Sequence, residues 1–248
     1  GKPTIIQEQN AVPGLTNRIL SRFANAICTA YEELKEIYKG KNVVLTGNPV
    51  RSEITSGTIS RADACHYFGF DPNKKIVLLI GGSLGAGTLN EAVKQNKEAI
   101  EASGVQLLWQ CGKFYYEKYK DVAEHSSLIQ CRMFIDRMDY AYAVADVVIS
   151  RGGALSIAEL QIVGKPCVLV PSPNVTDDQQ TKNVMALQNK HAAIYVNDKE
   201  VKTQLFDTVF HLLSNEEKKA ELSRNLSALA INNADERIVD EIYKCIKR

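Results

Sequence analysis

The sequence predicts an α/β protein organised around parallel sheets. Three observations predict it: short apolar runs recur along the chain, helical patterns separate several of them, and small-residue turns stand where a run gives way to a helix. Runs that are apolar at nearly every position, rather than every second one, belong to strands covered on both faces, as in parallel α/β units.

In chain order, the first runs are "TIIQ" (4–7), "AICTA" (26–30) and "NVVLTGNP" (42–49). The stretch "RSEITSGTISRADACHYFGFDPNKK" (51–75) then loses hydrophobic periodicity and gathers polar residues, Gly and Pro. This places a boundary after about Glu53, a linker over 54–70 and a second α/β domain over 71–248. The front piece, 1–53, holds about three strands, fewer than a typical parallel sheet. It is therefore expected to be the back part of a larger domain, and the chain, which opens inside a strand-like run without Met, is expected to be a piece of a longer protein.

The second domain continues with "KIVLLIGGS" (75–83), "VQLLWQCG" (105–112), "IQCRMFI" (129–135), "ADVVISRGG" (145–153), "KPCVLVPS" (165–172) and "AAIYV" (192–196). Helical patterns lie at "TLNEAVKQNKEAI" (88–100), "MDYAYAVA" (138–145), "ALSIAELQIVG" (154–164) and "QTKNVMALQNK" (180–190), and the chain reads as helical from about Thr203 onward.

Composition narrows the functional classes. Lys and Arg total 30 against 29 for Asp and Glu, so a net charge of +1 gives no electrostatic basis for a nucleic-acid partner. Six cysteines without a C-x-x-C pair read as reduced, buried thiols of a cytosolic protein. The histidines at 66, 125, 191 and 211 are isolated and there is no D-x-D, so no metal site is expected. No apolar segment approaches the roughly 20 residues that span a bilayer.

Two turns carry candidate chemistry. "KIVLLIGGSLGAGTLNEAV" runs strand, Gly-rich turn, helix, which presents free backbone N–H groups to a phosphate. It is not a Walker A loop, because Thr88 stands where Lys is required, and it lacks G-x-G-x-x-G; a tight βα turn is the plain alternative. "SRGGALS" repeats the plan, with a helix beginning around Ala154 and Glu159 on its first turns. A carboxylate there can accept both hydroxyls of a ribose, although a lone Glu on a helix is more often a solvated surface acid and only its context favours the ribose. In "VPSPNVTDDQQTKN", Gln179 and Gln180 suit sugar hydroxyls or, with Asp177 and Asp178, helix capping. Loops 81–88, 150–156 and 171–181 all follow strands, so they would meet at the carboxyl edge of one sheet, where ligands of open α/β sheets collect. Phosphate, ribose and sugar contacts together describe a nucleotide sugar.

Read together, "QEQNAVPGLTN" (7–17), "GNPVR" (47–51), "GGSLGAGTLN" (81–90), "FIDRM" (134–138), "ADVVISRGGALSIAEL" (145–160) and "GKPCVLVPSPNVTDDQQTKN" (164–183) resemble the bacterial peptidoglycan N-acetylglucosaminyltransferases that convert lipid I to lipid II. The resemblance covers nearly the whole chain. It implies a GT-B fold, two Rossmann-like domains across a cleft with the N-terminal one incomplete here, and inverting transfer of GlcNAc from UDP-GlcNAc without a metal or cofactor. By position, Gly81, Gly82 and Ser83 would hold the diphosphate, with Arg51 reaching in from the front domain. The backbone at Ile135 would meet the uracil, and Ala154, Leu155 and Ser156 would line the nucleotide site. Glu159 would bind the ribose, Gln179 and Gln180 the GlcNAc hydroxyls, and Asn10 would face the donor sugar.

The implied acceptor is undecaprenyl-linked lipid I, and the implied location is the cytoplasmic side of the cell membrane, peripheral on its inner face. The family's Gly-rich loop ending in His has no counterpart here, and Gln7 stands where the family has His before "EQN". Donor-site residues are thus expected to be retained, part of the acceptor site to be missing, and the general base is unassigned. Two other readings share the architecture: a UDP-GlcNAc 2-epimerase, which would need further carboxylates and a histidine in the cleft, and a non-catalytic UDP-sugar-binding module.

Overall fold

The structure is a computed structural model and describes residues 2–247. Among them, nine strands form two parallel sheets. The first holds β1 (Ile5–Glu8), β2 (Ala26–Thr29) and β3 (Val43–Leu45), in that order. The second holds β4 (Ile76–Ile80), β5 (Gln106–Gln110), β6 (Ile129–Arg132), β7 (Val147–Ser150), β8 (Cys167–Leu169) and β9 (Ile194–Tyr195), ordered β6-β5-β4-β7-β8-β9. That order reverses between β4 and β7, as in a dinucleotide-type doubly wound sheet, and opens a crevice at the strands' carboxyl ends.

The helices of the front part are α1 (Leu15–Leu20), α2 (Leu34–Ile37), α3 (Ser52–Thr55) and α4 (Arg61–Phe68). Around the second sheet lie α5 (Gly87–Gln95), α6 (Lys97–Ser103), α7 (Tyr116–Ala123), α8 (Met138–Val144), α9 (Ala154–Val163) and α10 (Gln179–Gln188). The chain closes with α11 (Val201–Ser214), α12 (Glu216–Ser227) and α13 (Ala234–Ile246).

Continuous apolar strands give this sheet two cores. In β4, Ile76, Leu78 and Ile80 enter one core with Ala141, Tyr142, Ile157 and Leu160, while Val77 and Leu79 enter the other with Leu89, Val93, Leu205 and Val209. Side chains alternate across a strand, so only a run apolar at every position can feed both layers. Burying each such side chain fully is worth about 1.5–3 kcal/mol. The indole buried in the second core is satisfied: Trp109 donates its N–H to Asn90 Oδ1 at 2.9 Å, and Asn90 donates to the Cys111 carbonyl at 2.9 Å.

All nine expected strand runs form strands, but three stretches differ from the sequence reading. The 88–100 helix breaks at Asn96, which has φ −102° and ψ 14° and donates its side-chain amide to the Ala92 carbonyl. The 54–70 stretch, expected to be a linker, carries α4, whose Ala64, Cys65 and Phe68 join the second domain's core together with Ile54. Arg61 ties it there by donating to the Val144 carbonyl at 2.8 Å and pairing with Asp146 at 3.0 Å. Short helices with mixed composition leave no clean period, which is why the stretch reads as unstructured. Finally, α13 returns to pack on β2, and Ile231 and Ala234 close on Gly47. The last helix therefore belongs to the first sheet, a choice that an amphipathic pattern cannot encode.

Candidate functional site

Because every strand of the second sheet runs the same way, the loops after β4, β5, β6, β7 and β8 emerge on one edge. The turn after β4 is tight. Gly85 has φ +93°, and a Cβ there would stand 2.2 Å from the Cys111 carbonyl oxygen, so the turn rests directly on the backbone after β5. Gly82 is also left-handed at φ +84°, which exposes Ser83 at the turn's tip. Gly81, Gly82 and Ser83 thus form a small-residue cradle ahead of α5.

Gln110, buried at the end of β5, couples this cradle to the next loop. Its amide donates to the Gly82 carbonyl at 3.1 Å and its oxygen accepts the Ile135 N–H at 2.8 Å. The Ile135 N–H is therefore engaged within the protein, and its carbonyl is the backbone group left for a ligand edge.

A second brace lies beneath. Arg151 donates to Thr88 Oγ1 at 2.8 Å and to the Val170 carbonyl at 3.1 Å, and it pairs with Asp198, while Thr88 donates to the same Asp198 at 2.6 Å. Side-chain exposures of 13% for Arg151 and 11% for Asp198 make this pair largely desolvated, and with the Thr88 and Val170 bonds it fixes the segments after β4, β7, β8 and β9 against one another. Thr88, at the position where a Walker loop carries Lys, is thus a structural anchor.

The turn after β7 passes Gly152, where a Cβ would stand 2.6 Å from Val184 and 2.8 Å from the Gln180 carbonyl, and α9 starts at Ala154 as expected. Ala154 and Ser156 are half-buried and Leu155 is exposed along the crevice. On the next turn, Glu159 accepts the Tyr142 hydroxyl at 2.8 Å on Oε2 and faces Arg51 Nη2 at 3.4 Å on Oε1. Tyr142 is fully buried, and burial first, then the neighbouring Glu159 charge, pushes its phenol well above the usual value of 10. It stays a hydrogen-bond donor.

The loop after β8 ends in two left-handed residues, Asp177 at φ 57° and Asp178 at φ 52°, before α10. Asp178 does not cap the helix through a backbone N–H; it accepts the Thr181 hydroxyl at 2.6 Å. The two glutamines part company. Gln180 Oε1 accepts the N–H groups of Gly152 at 3.2 Å and Ser172 at 2.9 Å, bracing two loops. Gln179 reaches the front domain, with its amide 3.4 Å from where a Gly14 Cβ would stand.

From the first sheet, the loop after β1 is organised by Glu8. This buried carboxylate accepts the Asn10 N–H (3.0 Å), the Asn10 amide (3.3 Å), the Gly14 N–H (3.1 Å) and the Asn17 amide (2.9 Å). Its roughly four acceptor positions are filled, so it holds Asn10 in place. Asn183 on α10 then joins the two domains: it accepts the Ala11 N–H at 2.8 Å, and donates to Asn10 Oδ1 at 3.1 Å and to the Gly152 carbonyl at 3.3 Å.

The structure thus brings Arg51 to Glu159, joins Asn10 to the turn after β7 through Asn183 and sets Gln179 against Gly14, while the 81–83 turn follows β4 on the same carboxyl edge as the turn after β7. Sequence reasoning missed Glu8, Gln110, Tyr142, Asn183 and the Thr88–Arg151–Asp198 brace. All are polar groups whose importance comes from burial against specific partners, and a single sequence gives no sign of burial at a polar position.

Comparison with known proteins agrees with this geometry. Residues 76–239 match the model of the glycosyltransferase family 28 C-terminal domain. The protein named UDP-N-acetylglucosamine–N-acetylmuramyl-(pentapeptide) pyrophosphoryl-undecaprenol N-acetylglucosamine transferase is 47% identical in Flavobacterium psychrophilum over 248 residues, covering 100% of this chain and 67% of that protein. Its namesake in Parabacteroides distasonis is 44% identical, covering 100% of this chain and 68% of that protein. The chain spans about two thirds of the length of these relatives. Among solved structures, Acinetobacter baumannii MurG superposes with a TM-score of 0.79 at 32% identity, covering 98% of this chain and 67% of that one. The S. aureus MnaA–UDP co-structure shares the fold alone, at 16% identity and a TM-score of 0.66, covering 96% of this chain and 65% of that one.

Proposed function

The chain belongs to the UDP-N-acetylglucosamine–N-acetylmuramyl-(pentapeptide) pyrophosphoryl-undecaprenol N-acetylglucosamine transferases of glycosyltransferase family 28, and on that premise we propose that it transfers GlcNAc from UDP-GlcNAc to lipid I, with inversion, to form lipid II. The observation that carries the site reading is the meeting of Arg51 and Glu159 at 3.4 Å, because it pairs a cation suited to diphosphate with a carboxylate suited to ribose on the helix that follows β7.

In this reading, Gly81–Ser83 and Arg51 take the diphosphate, the Ile135 carbonyl meets the uracil, and Ala154, Leu155 and Ser156 line the nucleoside. Glu159 accepts the ribose hydroxyls, and Asn10, Gln179 and the free amide of Gln180 face GlcNAc. As the C1–O bond to UDP breaks, negative charge grows on the leaving diphosphate, and N–H donors fixed in advance together with Arg51 stabilise it without reorganising. The acceptor hydroxyl gives its proton to a base not assigned among the residues above.

Calorimetric titration with UDP-GlcNAc, followed by assay of GlcNAc transfer to a lipid I analogue, tests this. Binding with transfer supports it. Conversion of UDP-GlcNAc to another sugar nucleotide without acceptor points instead to an epimerase, binding without turnover to a UDP-sugar-binding module, and no binding sinks the donor site.

No helix among the described residues is long and apolar enough to cross a membrane. For the lipid-linked acceptor we propose contact with an anionic bilayer surface through α1. Leu15, Ile19, Leu20 and Phe23 are exposed there beside the exposed Arg18, Arg22 and Lys41, the pairing of apolar and basic groups that suits an anionic interface. Phe23→Ser with Arg22→Ser should lower co-sedimentation with phosphatidylglycerol vesicles; equal binding by the variant would sink the assignment.

A further inference from the structure

We propose that Tyr142 is a positioning residue for the nucleotide's ribose, acting through Glu159. The inference rests on the reading of Glu159 as the ribose-binding carboxylate and extends it to a residue outside the crevice.

Tyr142 sits on α8, which leads into β7, while Glu159 sits on α9, which leaves it. Two helices of successive crossovers are thus joined by one bond, from the Tyr142 hydroxyl to Glu159 Oε2 at 2.8 Å. Tyr142 is 2% exposed and belongs to the core that holds Ile76, Leu78, Ile157 and Leu160, so burial restrains the donor. Glu159 has 16% side-chain exposure, and its second oxygen is the one turned toward Arg51 and the crevice. A glutamate side chain has three rotatable bonds, and fixing them when the ligand arrives would cost affinity. The phenol fixes them beforehand. It occupies one acceptor position on Oε2 and leaves Oε1 and the second Oε2 position for a vicinal diol.

A plain packing role for Tyr142 needs the ring but not the hydroxyl, and the two roles separate on that atom. The readout is the ratio of affinities for UDP and 2′-deoxy-UDP, measured by calorimetry on the wild-type chain, Tyr142→Phe and Glu159→Gln, with thermal unfolding in parallel. Tyr142→Met, also apolar and without the hydroxyl, replaces the Phe variant should that fail to fold. One hydrogen bond is worth about 0.5–1.5 kcal/mol, so the ratio should fall roughly two- to tenfold in Tyr142→Phe. It should fall further in Glu159→Gln, whose amide accepts through one atom only. A fall in both variants supports the proposal. A fall in Glu159→Gln with an unchanged ratio in Tyr142→Phe overturns the role of Tyr142 and leaves the ribose reading intact. No preference for UDP in the wild type, or an unchanged ratio in Glu159→Gln, overturns both.

Discussion

Arg51 Nη2 lies 3.4 Å from Glu159 Oε1, bridging 108 residues of sequence and joining the segment after the first sheet to the second domain's α9. With Arg51 half exposed, the pair itself is worth little, about 0–1 kcal/mol. In the proposed site its meaning lies in what would replace it: a bound nucleotide would offer each partner a new contact, diphosphate for Arg51 and ribose for Glu159.

Arg51→Gln should therefore move two ligands in opposite directions. UDP should bind about five- to thirtyfold more weakly, because a charge-assisted contact worth roughly 1–2 kcal/mol is lost at this partly exposed site. Uridine, which has no phosphate, should bind equally well or up to about fivefold more tightly, because Glu159 loses a competitor. Parallel titrations check this, and a matching loss for both ligands would refute the exchange.

Asn183→Ala should loosen the join between the domains. It removes the acceptor for the Ala11 N–H and the donors to Asn10 and Gly152, all from a side chain that is itself fully buried. Stability should drop by about 1–3 kcal/mol in urea unfolding. Affinity for UDP-GlcNAc should fall more than affinity for UDP, since Asn10 is assigned to the sugar. Equal losses for the two ligands would remove Asn10 from the sugar site.

Gln110→Leu should leave the Ile135 N–H without a partner and the Gly82 carbonyl with the Gly85 N–H alone. A buried polar group stripped of its partner costs about 1–3 kcal/mol, and both ligand loops would lose their common support. The expected result is a lower thermal midpoint and weaker UDP binding. Gln110→Glu, which keeps the acceptor for Ile135 but not the donor for Gly82, should fall in between.

Two glycines give a contrast in backbone strain. Gly57→Ala meets nothing within 4 Å and pays only for its φ of +58°, about 1–2 kcal/mol. Gly85→Ala also drives a Cβ to within 2.2 Å of the Cys111 carbonyl oxygen and should cost more, on the order of 3 kcal/mol or above. If chemical denaturation gives equal losses, the close approach of the two turns is not what requires glycine.

The strands and the carboxyl-edge turns were legible in the sequence because their signal is local. A run such as "KIVLLIGGS" must be buried on both faces, and glycines after it must turn. The candidate residues were legible in type: a carboxylate on α9, amides before α10, an arginine after "GNPV". Their division of labour was not. Gln179 and Gln180 are adjacent in the chain, yet helix geometry turns one toward Gly14 and the other onto the backbone of Gly152 and Ser172.

By itself, then, the sequence determined the α/β class, the order of the strands along the chain and the identity of the groups offered to a ligand, since each follows from neighbours a few residues apart. Only the tertiary structure decided that α13 covers the first sheet, that 54–70 packs on the second domain, and that Tyr142, Gln110, Glu8 and Asn183 bond to the candidate site residues and their loops. Those outcomes depend on pairing between groups far apart in the chain and on whether a polar atom ends up buried. Both are properties of packing, and a linear pattern of residues does not carry them.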